Sequence, residues 1–187
     1  MNQKKIDKIA FQFNSQISKK VRSIIAPLET IIPITNFSYL RFYDDGQLLH
    51  IQPDQSLLEH LLKSNFNNQG LKNKKLKEAV KETVVSSQYV WPTDNKDDLS
   101  RFLSTFGIKN TMSVITKNTD YLESLTFSNP LDEELGRELH IHNNELYQHF
   151  RAYFIDKIND VIDFNDKDIY FKSTLCDYYK EDGLSLK

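Results

Sequence analysis

Cysteine is almost absent: Cys176 is the only one in the chain. A lone thiol forms no internal disulfide and no Cys-x-x-Cys site, so an apolar core must hold the fold. Cys176 itself reads as a small, half-buried hydrophobe. Glycine is scarce too, at five residues. None stands in a phosphate-cradling loop, and Gly-x-Ser-x-Gly does not occur. Long apolar runs are missing, since no segment approaches the roughly 20 apolar residues that cross a bilayer. The opening "MNQKKIDKIAFQF" carries charges where a secretory leader has its apolar centre. The expectation is a cytoplasmic protein with no membrane segment. Excess of one charge is lacking as well. Lys and Arg number 24 against 26 Asp and Glu, for a net charge of −2, so no overall field draws the chain to nucleic acid.

What is present is an ordinary globular composition, with 39% hydrophobic residues in 187, enough for one domain with its own core. Ile6, Ile9, Phe13, Ile17, Val21 and Ile24 recur every three or four residues and predict one long amphipathic helix that stops near Pro27. In "FSYLRFYDDGQLLHI", Asp45-Gly46 is the strongest hairpin signal. Read as a two-residue turn, it pairs Tyr43 with Leu48, Phe42 with Leu49, Arg41 with His50 and Leu40 with Ile51. One face then carries Leu40, Phe42, Leu49 and Ile51. The other carries Phe37, Tyr39, Arg41, Tyr43, Leu48 and His50, aromatics with polar tips, and is the better place for a pocket.

"DQSLLEHLLKSNF" and the more polar "LKNKKLKEAVKET" predict two further helices, and "VVSSQYVW" a strand. Leu99, Phe102, Leu103 and Phe106 give a short helix stopped by Gly107, onto which Ile108 folds back. Thereafter Met112 and Val114 alternate with Thr111 and Ser113, and Leu125 and Phe127 with Ser124, Thr126 and Ser128. These are two strands joined by the polar turn "KNTD". Leu146, Phe150, Tyr153, Phe154, Ile158, Val161 and Ile162 form the stripe of a last long helix, capped by Asn143 or Asn144. One strand-like patch, "IYFKSTL", remains in the tail. The fold class is therefore α/β (α+β): a three-layer α-β-α sandwich around a mainly antiparallel sheet of about five strands.

Catalytic and metal chemistry find no support in the spacing. His140 and His142 stand as His-x-His with His149 seven beyond, but no cysteine pair or His-Glu-x-x-His completes a zinc set. They read as exposed histidines at a helix entrance. Asp44-Asp45 and Asp97-Asp98 read as turn and helix-start charges rather than an acid-base pair. No catalytic residue, metal or cofactor is expected. Arg41 is the charge of most interest, mid-strand between Leu40 and Phe42. It suits a ligand carboxylate or phosphate, or a salt bridge within the protein. Tyr89 and Trp91 are candidate aromatic walls of a pocket, or plain core. Tyr39, Arg41, Tyr43, Tyr89, Trp91 and Ser113 make up the expected ligand-binding set.

The ordered strings "FSYLRFYDDGQLLHI", "LSRFLSTFGIKNTMSVIT", "YLESLTFSNP" and "NNELYQHFRAYFIDKINDVI" resemble, from about Ile34 to Ile162, the autoinducer-binding, PAS/GAF-like sensor domain of LuxR-type transcriptional regulators. The resemblance implies a small-molecule-sensing domain over residues 1–164, with residues 165–187 as a tail where a helix-turn-helix domain would begin. Lactone-binding members carry a Trp-x-x-x-Tyr pair and a later Asp-Pro. The matching region here, "LLEHLLKSNFNN", has neither. The Thr-x-Arg-Glu start of the DNA-binding half is missing too. The expected partners are an unidentified small-molecule ligand, and a second copy or a regulator docking on the terminal helices. Direct specific DNA binding is not expected. The alternative is an interaction or dimerisation module of the same fold with no ligand.

Overall fold

The computed structural model describes residues 3–43, 45–63, 86–90 and 98–172. Their elements are α1 (Gln3–Glu29), β1 (Asn36–Tyr43), β2 (Gln47–Ile51), α2 (Gln55–Lys63), β3 (Ser86–Val90), α3 (Asp98–Thr105), β4 (Thr111–Lys117), β5 (Tyr121–Ser128), α4 (Glu133–His142), α5 (Asn144–Asn159) and β6 (Phe171–Lys172). The helix expected at "LKNKKLKEAVKET" lies outside the described residues, as does Trp91.

The fold is α+β. Its antiparallel sheet has the order β3-β4-β5-β1-β2-β6. The expected count of about five strands is exceeded by one. Part of the strand-like patch in the tail returns to the sheet edge, where Phe171 pairs with Leu48 and Lys172 with Gln47. Ile169, Tyr170 and Phe171 are buried, so part of the segment read as a tail is packed into the fold.

The β1–β2 register is shifted by one residue from the expected pairing. Arg41 lies opposite Leu49, Leu40 opposite His50 and Tyr39 opposite Ile51. The reason is the turn. The Gly46 N–H donates to the Tyr43 carbonyl at 3.0 Å, and Gly46 has φ +85°. The loop thus holds one residue more than a two-residue turn, with glycine in the left-handed position that closes a three-residue hairpin. A one-residue slip exchanges faces on the partner strand. Leu49 and Ile51 therefore join Phe37, Tyr39, Arg41 and Tyr43, while Leu48 and His50 join Leu40 and Phe42.

The first face packs on α1 and α5. Ile17, Val21, Ile24, Ile25 and Leu28 of α1 meet Phe37, Tyr39, Leu49 and Ile51, and Phe150, Phe154 and Ile158 of α5 close the same core. Aromatic rings dominate: Phe37 lies 4.9 Å from Phe154 and 5.5 Å from Phe127, and Phe127 lies 4.7 Å from Tyr147. Each such pair adds about 0.5–1.5 kcal/mol beyond the area it buries. Tyr147 rather than Tyr153 faces the sheet. Tyr153 is 38% exposed, because α5 carries more large side chains than one stripe can bury. α1 runs through Pro27 to Glu29 instead of stopping there. Proline costs only its own donor in the last turn, and Leu28 beyond it is buried.

Gly107 ends α3 as expected. Ile108 N–H donates to the Leu103 carbonyl at 3.1 Å and Gly107 N–H to that of Ser104 at 3.0 Å, with Gly107 at φ +70°. This is the six-to-one and five-to-two pair of a Schellman stop. Ile108 packs with Leu57 and Leu61 of α2 and with Leu99, Phe102, Leu103 and Phe106, in a cluster separate from the α1–α5 core.

Candidate functional site

The two faces of the central strands differ in both size and chemistry. Toward α1 and α5 the positions are Phe37, Tyr39, Met112, Val114, Leu125 and Phe127, which fill their space. The positions between them, which point to the opposite face, include Ser38, Ser113, Ser124 and Thr126. These short hydroxyl side chains are framed by Phe42, Leu48, Ile115 and Leu122, all buried. The face is thus covered and yet floored by small groups. Ser113 Oγ and Thr126 Oγ1 lie 2.8 Å apart, Ser124 Oγ and Thr126 Oγ1 3.5 Å, and Thr111 Oγ1 and Ser128 Oγ 3.0 Å. Each hydroxyl can both donate and accept, so the ladder can re-pair with a ligand without stranding a buried group. His50 is buried beside it, with its backbone fixed. Asn14 of α1 donates to the His50 carbonyl and accepts from Gln52 N–H at 2.9 Å.

The other concentration of polar groups lies on the α1–α5 face. Glu123, 1% exposed, sits among three donors. Tyr39 OH donates to its Oε2 at 2.9 Å, Arg41 Nε stands 3.6 Å from the same oxygen, and Arg151 of α5 donates to its Oε1. Arg41 Nε also donates to Tyr39 OH. The Arg41 guanidinium lies 4.6 Å from the ring centroid of Tyr121 and 3.9 Å from that of Phe164. Burial alone would lower its pKa. The Tyr39, Tyr121 and Tyr43 hydroxyls and Glu123 outweigh that and hold it above the ordinary value. Burial first, then the Glu123 charge, push the Tyr39 phenol well up, so it stays a donor. The charge of Arg41 is therefore met inside the protein.

A third polar centre joins α4 to the sheet. His140 is fully buried rather than exposed as its position suggested. Its Nδ1 lies 2.8 Å from Tyr147 OH, and its Nε2 faces the Asn110 carbonyl and stands 2.9 Å from Asn129 Nδ2. Burial lowers its pKa against the opposing pull of the Asn110 carbonyl. Among the described residues no group of three metal-ligating side chains occurs, and no helix is long and apolar enough to cross a membrane.

The expected site residues that the structure describes do not share one face of the sheet. Tyr39, Arg41 and Tyr43 cluster on the α1–α5 face around Glu123. Ser113 lies on the opposite face, and the backbone of Tyr89 pairs with it in the register. Sequence reading missed Glu123, Arg151, Ser124 and Thr126. The alternation Tyr121, Glu123, Leu125, Phe127 places a carboxylate on an apolar face, and that was the available signal. Arg151 beside Phe150 was its complement.

Searches against known proteins match at the level of structure. No protein-family model matches the chain, and no curated protein does. The ligand-binding domain of VqsR from Pseudomonas aeruginosa superposes with a TM-score of 0.52 at 10% identity, covering 74% of this chain and 85% of that one. Escherichia coli SdiA gives 0.54 at 11%, covering 81% and 63%. The N-acylhomoserine lactone dependent LuxR family factor CepR2 from Burkholderia cenocepacia gives 0.51 at 15%, covering 82% and 98%. The fold is that of LuxR-type sensor domains. Within this LuxR-type fold the hydroxyl-floored sheet face and the Glu123 cluster lie back to back on β1 and β5.

Proposed function

We propose that this chain is a small-molecule-sensing regulatory domain of LuxR type, with its ligand held against Ser38, Ser113, Ser124 and Thr126. The observation that carries the reading is the difference between the two faces. On the same strands, aromatic and aliphatic side chains fill one side, and short hydroxyls floor the other under cover. A core built only for stability would use Val or Ile there, which bury more area and need no partner. The floor suits a ligand with an apolar body and a neutral hydrogen-bonding head, since Ser and Thr hydroxyls give and take bonds and carry no charge. The sequence-expected walls Tyr89 and Trp91 belong to the same proposal, Tyr89 as the register partner of Ser113 and Trp91 as a residue two further along the chain from Tyr89. Tyr39, Arg41 and Tyr43 are assigned to the internal network and not to the ligand. The work of the chain is regulatory and cytoplasmic rather than catalytic. Its output passes to a second copy or a partner regulator over the outward faces of α1 and α5, and not to DNA bases directly. A ligand acts only through unequal affinity for two states.

The test is a thermal melt of the purified chain against a series of neutral acyl amides and acyl glycerols. A ligand raises the melting temperature in proportion to the logarithm of its concentration above Kd. Ser124→Leu, which fills the floor with an apolar side chain, removes that rise while the chain stays folded. A rise that persists in Ser124→Leu and vanishes in Arg41→Lys would move the site to the other face.

A further inference from the structure

We propose that Arg41 latches the segment Asp163–Lys172 onto β1, and that β1 transmits occupancy of the hydroxyl floor to this segment. The second half rests on the ligand reading above, and the first does not.

The latch is a closed ring of contacts. The Arg41 guanidinium lies 3.9 Å from the ring centroid of Phe164, which follows α5. Tyr43 is the next side chain along β1 on the same face, and its hydroxyl helps hold the Arg41 pKa up. Tyr43 OH stands 3.2 Å from Tyr170 OH, and Tyr170 OH donates to the Phe164 carbonyl at 2.8 Å. The two rings meet edge to face at 5.3 Å. Contact therefore runs from Arg41 to Phe164 directly, and back to it through both tyrosines. Such a chain of donors strengthens each member and is lost as a unit.

The segment needs this hold. Among the described residues β6 has two, paired at Gln47–Lys172 and Leu48–Phe171. A strand that short at a sheet edge is not stable by its own ladder. Before it, the chain makes local turns, with Asp163 Oδ1 accepting from Asn165 N–H and Asp166 Oδ1 from Asp168 N–H. Those turns shape the segment without tying it to the sheet. Ile169, Tyr170 and Phe171 add apolar burial, while Arg41 and Tyr43 add the directional contacts.

β1 is the link because its side chains alternate. Ser38, Leu40 and Phe42 point to the hydroxyl floor, opposite Thr126, Ser124 and Leu122 of β5. Tyr39, Arg41 and Tyr43 point to the latch. A displacement of β1 that accommodates a ligand on one face moves the guanidinium on the other, and the stack on Phe164 is either made or broken.

Amide hydrogen exchange on the whole chain tests both halves. Phe164→Ala leaves Arg41, Glu123 and Arg151 in place. Arg41→Lys keeps the charge but loses the planar stack and the fork of donors. Each is expected to speed exchange across 166–172 by about tenfold or more, with β4 and β5 unchanged, as for a local opening. Unchanged protection of 166–172 in Phe164→Ala overturns the latch, even if Arg41→Lys fails to fold. For the coupling, Ser124→Val alters the floor without touching the segment. It is expected to change exchange in 166–172 by about threefold or more. No change there overturns the coupling and leaves the latch standing. The ligand reading is judged separately, by the melting series.

Discussion

A Cβ placed on Gly136 would lie 2.4 Å from Cγ of Asn110. Asn110 cannot step aside. It is buried with φ +44°, and its amide donates to the Leu131 carbonyl at 2.6 Å and the Asp132 carbonyl at 3.1 Å. α4 thus reaches the sheet where its sequence offers hydrogen atoms instead of a side chain. Gly136→Ala is expected to cost about 1–3 kcal/mol, as overpacking of a fixed site does. Chemical denaturation should show a lower midpoint with an unchanged slope. A midpoint equal to wild type would remove the close approach.

The pH dependence follows from His140 beside that contact. Its pKa is lowered in the folded state by burial, from an unfolded value near 6.5. Below that value the unfolded chain binds a proton that the folded chain refuses, so stability rises with pH through this window. The contribution is complete above about pH 6.5 and is lost as pH falls toward the folded pKa. Melting curves between pH 7.5 and 5 should show a falling melting temperature. His140→Gln, which keeps a donor and an acceptor but does not titrate, should flatten the slope. An equal slope in the variant would place the effect elsewhere.

Glu123 answers two guanidinium groups, and removing its charge strands the buried Arg41, while Arg151, 23% exposed, can turn to water. Glu123→Gln is expected to destabilise by roughly 3–5 kcal/mol, the usual cost of breaking a buried pair from one side. Simultaneous Arg41→Met and Glu123→Met should recover much of that, since apolar groups of similar volume often replace buried ions at little cost. A double variant no better than the single one would mean that the network sets the packing itself.

These features were unequally legible in the sequence. The Gly107 stop, the β4–β5 hairpin and the existence of a turn at Asp45-Gly46 were readable, because local chemistry decides them. The register was not. Asp-Gly suits a two-residue turn and also ends a three-residue loop, and the difference of one residue exchanges the faces of Leu48, Leu49, His50 and Ile51. α4 was invisible for another reason. Its buried residues are Gly136 and His140, so no apolar stripe announces it. The Glu123 cluster draws on β1, β5 and α5, far apart in the chain. Only the lone carboxylate in an apolar alternation hinted at it. The hydroxyl ladder shows in the sequence only as the polar half of two alternating strands, from which Ser113 alone enters the expected ligand-binding set.

Gly46 tests the corrected register. With φ +85° it occupies a conformation that costs an L-residue about 1–2 kcal/mol. Gly46→Val should lower stability by about that amount. Gly46→Asn should cost less, because asparagine tolerates the left-handed region. Equal losses in the two variants would argue for lost space and not lost backbone freedom.

The central claim is that a small molecule occupies the covered face floored by Ser38, Ser113, Ser124 and Thr126. Native mass spectrometry of the whole chain, purified from its own cells, tests it most directly, in parallel with Ser113→Leu/Ser124→Leu. The wild type should carry a stoichiometric non-covalent mass that denaturation releases, and the folded double variant should lack it. A wild-type chain at its bare mass, or the same adduct at equal occupancy in the variant, would contradict the account.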